Sequence, residues 1–251
     1  MKKQTENLQA YDKVLEELFF AHWKCGMEDV IFSKDDLIDA IERLGLRIKN
    51  TADILYTYRS RRELPGRIRK LGDWIIASRG PGEYAFVFAA EGTTIEVPAS
   101  LKIYPVPWAV PEIVAANLTR DEQGLLTIAR YNRLLDIFTG LACFHLQSHV
   151  RTQIKGHGQV EIDDLYVGVD KDGTGYVLPV EGKEEGESLG KDKAVALTKF
   201  ARAKFPKLKC RPIAIIRQAD DVFACIEFEP TESVTKVEVL EMRRYRLVSD
   251  A

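Results

Sequence analysis

The chain has 251 residues, enough for one large domain or two modest ones, and a hydrophobic share of 45% supports a real core rather than disorder. Its 36 basic and 38 acidic residues leave a net charge of −2, which excludes whole-chain basicity as a sign of nucleic-acid binding, so any such surface must be local. The opening MKKQTENLQAYDK lacks an apolar signal core, no stretch suits a bilayer span, and the four cysteines (Cys25, Cys143, Cys210, Cys225) contain no CxxC pair, so a cytoplasmic protein without a membrane partner is expected.

From about residue 8 to 90 the pattern reads as a unit of its own. YDKVLEELFFAHW places Val14, Leu15, Leu18 and Phe19 on one helical face. SKDDLIDAIERLG predicts a second helix with Ser33 as N-cap, acids in its first turn and a stop at Gly45. NTADILYTYRSRRELP predicts a third, ending in a basic cluster before Pro65. DWIIASRGPGEYAFVFA then reads as two strands joined by a turn at Arg79-Gly80-Pro81-Gly82. Three helices followed by a hairpin is the order of a winged helix-turn-helix, whose third helix enters the DNA major groove while its wing touches phosphate. Arg59, Arg61, Arg62, Arg67, Arg69 and Lys70 surround that third helix, and with Arg79 on the wing they could neutralise phosphates. The competing expectation is a protein-docking module with a solvated basic face.

Residues 91–119 hold Pro98, Pro105, Pro107 and Pro111, which break helices and weaken central strands, so an extended linker is expected there. The second unit, 120–251, opens on one long helical pattern, TRDEQGLLTIARYNRLLDIFTGLACFHLQSHV, with Asn132 and Asp136 at i, i+4 on one face. Two strands, a polar loop, the helix KAVALTKFARAKF and further strands come after it. The expected fold class is therefore α+β to α/β: an N-terminal winged helix-turn-helix domain (1–90), a Pro-rich linker (91–119) and a mixed-sheet core flanked by helices (120–251).

The chemistry concentrates in VEIDDLYVGVD and GYVLPVEGK. Strand alternation puts Leu165, Val167 and Val169 on one face and starts the other with Asp164; it sets Glu181 and Lys183 together, opposite Val180 and Gly182. If the strands are neighbours, aspartate, glutamate and lysine converge at their ends. Crowded carboxylates repel, and a hard divalent cation such as Mg²⁺, with Mn²⁺ as substitute, relieves that repulsion and can bridge them to a phosphate. Lys183 would then orient or deprotonate the attacking water, or stabilise the pentavalent phosphate, and Gly182 would let metal or phosphate approach a backbone carbonyl.

Asp163/Asp164 followed by Glu181-Gly182-Lys183 resembles the motif of the PD-(D/E)xK nuclease superfamily. Together with DEQGLLTIARYNRLLDIFTG, it resembles the restriction-endonuclease branch over about residues 118–230. The resemblance implies a Mg²⁺-dependent endonuclease acting on double-stranded DNA, most simply as a homodimer, its cognate methyltransferase, if there is one, being encoded elsewhere. It also implies a polar helper on the preceding helix, for which Asn132 and Asp136 are the candidates. Which aspartate completes the motif stays open: VEID, which resembles related nucleases, favours Asp163, while the Asp-then-apolar order favours Asp164, on balance the preferred one. The rival expectation is a catalytically silent DNA-binding or regulatory protein that keeps the nuclease fold. His145 and His149 stand at metal-ligand spacing if helical, but no third ligand accompanies them, and His157 lies in a Gly-rich turn.

Overall fold

The computed structural model describes residues 2–60, 62–90, 92–154 and 158–249, apart from the side chains of 2–8, 59, 60 and 158. The chain divides into two units, with the change between residues 93 and 94. No helix among the described residues is long and apolar enough to cross a membrane.

In the first unit α1 (Lys2–His22) buries Val14, Leu15, Leu18 and Phe19, the face its spacing predicts. A short strand comes next that the helical and hairpin patterns did not separate, β1 (Asp29–Ser33), with alternating burial. Ser33 then caps α2 (Lys34–Arg43) in a reciprocal box: its Oγ accepts from Asp36 N at 3.1 Å, and Asp36 Oδ2 accepts from Ser33 N at 2.7 Å. That backbone bond holds the Asp36 carboxyl below the usual carboxylate range. After α3 (Thr51–Ser60), which buries Ile54, Leu55 and Tyr58, and the single turn α4 (Gly66–Arg69), the expected hairpin forms from β2 (Trp74–Gly80) and β3 (Glu83–Phe88). The three strands run in the order β1-β3-β2, antiparallel throughout. Phe19 meets Trp74 and Phe86 edge-on, at 5.0 and 5.1 Å between ring centroids, which pins α1 to the sheet.

The second unit begins inside the stretch expected to be linker. β4 (Thr94–Ile95) is a two-residue strand, and β5 (Ile103–Pro107) pairs parallel with the last strand of the chain. Proline cannot donate to a ladder, and Pro105 and Pro107 are tolerated because β5 is an edge. The short helix α5 (Glu112–Ala115) leads to α6 (Glu122–Tyr131) and α7 (Leu134–Thr139).

The single long helix expected here is thus divided. Asn132 caps α6, Arg133 takes a left-handed conformation with φ 52°, and Gly140 ends α7 in the same region. The next segment, ACFHLQSHVRTQI, is not helix but β6 (Ala142–Ile154), because pairing with the neighbouring strand outweighs a helical period in a segment of weak preference. His145 and His149 therefore lie on a strand, and their i, i+4 helical spacing does not exist.

The remaining elements are β7 (Gly158–Val169), β8 (Gly175–Lys183), β9 (Leu189–Gly190), α8 (Lys191–Lys204), β10 (Lys209–Cys210), β11 (Ile213–Gln218), β12 (Val222–Phe228) and β13 (Val239–Val248). The main sheet runs β5-β13-β12-β11-β8-β7-β6, with β10 beside β8 and β4 paired with β9 apart from it. It is a curled mixed sheet with helices on both faces. Leu125, Leu126, Leu134 and Leu135 pack with Tyr166, Leu178 and Val180 on one face; Leu197, Phe200 and Ala201 pack with Ile162, Leu165 and Val177 on the other.

Candidate active site

Two aspartates in sequence become two different sites because β7 alternates. β7 and β8 form an antiparallel hairpin with register Asp164↔Val180 through Val169↔Gly175. Its turn is closed by Asp170 Oδ1, which accepts from Asp172 N and Thr174 N. At the other end the hairpin opens. There Gly182 N donates 2.9 Å to Asp163 Oδ2, a side chain taking the place of a ladder carbonyl. β8 continues in parallel with β11, Glu181 opposite Ala214 and Lys183 opposite Ile216.

The register decides between the aspartates. Directly paired residues share a face, so Asp164 goes with Val180; Asp163, just beyond the last pair, takes the Gly182 N–H and feels the charges of Glu181 and Lys183. Asp164, the preferred candidate, points its carboxylate to the α6 side, where Arg130 holds it, and it is Asp163 that lies beside Glu181. Alternation alone could not settle the matter, since a register slip of one residue reverses every face.

On the α8 side Glu181 is 1% exposed, with its Oε1 2.6 Å from Lys193 Nζ and 3.0 Å from Lys183 Nζ. Lys183 Nζ also donates to Glu122 Oε1 at 2.5 Å and to Gly182 O at 2.8 Å. Burial works against the Lys183 charge, but Glu181 and Glu122 outweigh it and hold its pKa above the usual lysine range. Lys193 is raised in the same way, burial opposing and Glu181 prevailing. Among the described residues Asp163 forms no ion pair, and the charge of Lys183 is the smallest of the effects on it. Burial first, then the charge of Glu181, push its carboxyl up to about 7 despite the Gly182 N–H.

Two residues of this group, Glu122 and Lys193, were not expected. Each stands in the first turn of a helix, α6 or α8, and a capping signal (Asp121 before Glu122) was the only mark the sequence offered. Asp121 Oδ1 accepts from Gly124 N at 2.8 Å. Gly124 is required there, since a Cβ would lie 1.9 Å from Thr119 O. The α6 helix also sits close on β8: a Cβ on Gly182 would meet Leu126 at 3.3 Å. Gly182 thus serves the close approach of a helix on the face away from Glu181, while its carbonyl accepts from Lys183.

On the α6 side Asp164 is fully buried and fully engaged. Arg130 Nη2 reaches its oxygens at 2.8 and 3.0 Å, Ser148 Oγ donates at 2.5 Å, Tyr166 OH at 3.1 Å, and His145 Nε2 lies at 3.2 Å. Burial opposes the Arg130 charge and Asp164 sustains it; the Tyr166 hydroxyl is raised by burial and then by Asp164. This carboxylate ties α6, β6 and β7 together.

The helper positions do not join either group. Asn132 is buried, its Oδ1 accepting from Ala109 N at 2.7 Å and its Nδ2 donating to Ile128 O at 2.8 Å, which makes it a cap and a brace. Asp136 accepts from Arg133 at 2.5 Å and from Cys143 N at 3.1 Å. In the first unit Arg62 pairs with Asp12 at 3.2 Å and lies over the Tyr58 ring, and Arg79 pairs with Asp29. Arg61 and the Arg59 side chain lie outside the described residues, as does His157.

Among the described residues no group of three or more His, Cys, Asp and Glu stands together as a metal-ligand cluster. At this site lysines lie between the carboxylates. No family model, curated protein or solved structure matches the chain.

Proposed function

We propose that the protein is a Mg²⁺-dependent DNA endonuclease of the PD-(D/E)xK type, restriction-like in its core, with a winged-helix first unit. One observation carries this reading: at the open end of the β7–β8 hairpin Asp163, bound to the Gly182 N–H, lies within the electrostatic reach of Glu181 and Lys183, which are themselves an ion pair at 3.0 Å. The donor set fits a hard cation. Asp163 and Glu181 offer carboxylate oxygens, and the rise of Asp163 to about 7, caused first by burial and then by the charge of Glu181, is one that a bound cation would reverse. Asp163 and Glu181 would hold Mg²⁺ or Mn²⁺, which when bound supplies Lewis acidity and a more acidic water.

The chain's own part is set by its protonation. Lys183, held above the usual lysine range, carries its charge at neutral pH and is no general base; it stabilises the charge that grows on the phosphate as water adds and the P–O bond to the leaving oxygen breaks. Glu122 positions Lys183, and Lys193 holds Glu181 on the same face. Cutting both strands of a duplex calls for two copies of such a site. In the first unit the order of helix, strand, two helices, a single helical turn and a hairpin supports the winged-helix reading, and Arg79 stands beside the turn. Because Arg62 and Arg79 already pair with acids, phosphate binding there means an exchange of partners.

The second reading, a silent nuclease fold that binds DNA, draws on the same ion pairs, since Lys183 and Lys193 neutralise Glu181 without a metal. Supercoiled plasmid incubated with the purified chain and graded Mg²⁺, Mn²⁺ or Ca²⁺ separates the two. Cleavage with Mg²⁺ or Mn²⁺, little with Ca²⁺, and none in excess EDTA is expected. Cleavage at full rate in EDTA, or none with any metal while DNA is bound, ends the proposal.

A further inference from the structure

The main sheet has two edges, and their chemistry differs. At β5 two prolines remove donors from the strand. At β6 the only strand partner among the described residues is β7. From Ala142 to Ser148, seven residues, β6 holds no Lys, Arg, Asp or Glu, the charges with which sheets guard an open edge. Phe144 is 58% exposed and Leu146 51%. The run is bounded: His149 has φ 51°, which breaks the extended strand, and beyond it Arg151 pairs with Glu161 at 2.7 Å.

We propose that this edge pairs antiparallel with the same edge of a second copy of this chain, about a two-fold axis at His145. A single strand is self-complementary only when antiparallel, and residues directly opposite must point to the same face. His145 is the middle of the uncharged run, so this register pairs the run with itself from end to end. Ala142 meets Ser148, Cys143 meets Gln147, and Phe144 of each copy meets Leu146 of the other, with no like charges opposed. His145 turns toward Asp164, which leaves Phe144 and Leu146 together on the opposite face. A foreign strand would gain the hydrogen bonds but not this twofold match. The pairing gives the nuclease reading its second site and rests on it only for that use; mass, not cleavage, tests it.

Sedimentation equilibrium of the full chain should give twice its 28.4 kDa mass. Phe144→Asp alone and Leu146→Lys alone should each sediment as monomers. Mixed, they should form a heterodimer, because aspartate then faces lysine on one side and phenylalanine faces leucine on the other. Recovery on mixing also shows that both variants are folded. A monomeric wild type, dimers that persist in either variant, or a mixture that stays monomeric each overturns the proposal. Loss of cleavage with dimerisation intact would count against the nuclease reading alone.

Discussion

Asp163 and Asp164 are covalent neighbours with opposite circumstances. Asp164 is saturated by donors from three elements, whereas Asp163 faces another carboxylate and has one backbone N–H. A carboxylate surrounded by donors is built to stay as it is. One held against a second acid stores repulsion that an added cation relieves. The two faces of one strand thus separate a braced carboxylate from a crowded one, and the contrast can be tested directly.

The largest effect is expected on the crowded side. Glu181→Ala and Lys183→Ala should each lower turnover by roughly 10²–10³-fold or more, the scale of losing one group that stabilises transition-state charge. Circular dichroism should remain native. Near-normal turnover in both variants would remove the chemistry from this face.

Next comes the exchange between the aspartates. Asp163→Asn should abolish cleavage and leave the protein at least as stable near pH 8, because it removes a repelled charge. Asp164→Asn should lower stability by about 3 kcal/mol, since Arg130 loses its buried partner. Thermal melts and plasmid assays on the same two preparations read both halves. If Asp164→Asn is the inactive, stable variant, the assignment of the faces is reversed.

Titration sharpens the difference. With its pKa raised to about 7, Asp163 keeps a proton in the folded chain that the unfolded chain has already released above about pH 4. Its contribution to stability is therefore present at low pH and is lost as pH rises from about 4 to 7, a change on the order of 4 kcal/mol. Denaturant melts in EDTA should show that fall in the wild type and a flatter profile in Asp163→Asn. Equal profiles would mean that Asp163 titrates normally.

Smaller effects are expected where ion pairs are exposed. Glu122→Gln should cost activity several-fold while sparing stability, because Lys183 keeps Glu181 and the Gly182 carbonyl. Reversing Arg62 or Arg79 to Glu should weaken DNA binding modestly and lower the salt slope by about one unit for each phosphate no longer neutralised. An unchanged slope would favour a docking role for the first unit.

Local chemistry is legible in the order of the residues. Ser33 as a cap, the apolar face of α1, the turn that closes β7 on β8, and the placement of Glu181 and Lys183 on one face all depend on residues within a few positions of each other. Other features were set by packing between distant segments. Residues 142–154 are a strand because β7 offers a ladder; Pro105 and Pro107 sit in a strand because an edge forgives a missing donor; Glu122 reaches Lys183 because Gly182 lets α6 lie close on β8. Which aspartate lies beside Glu181 depends on how two strands are registered, and register is a relation between segments that neither segment carries alone.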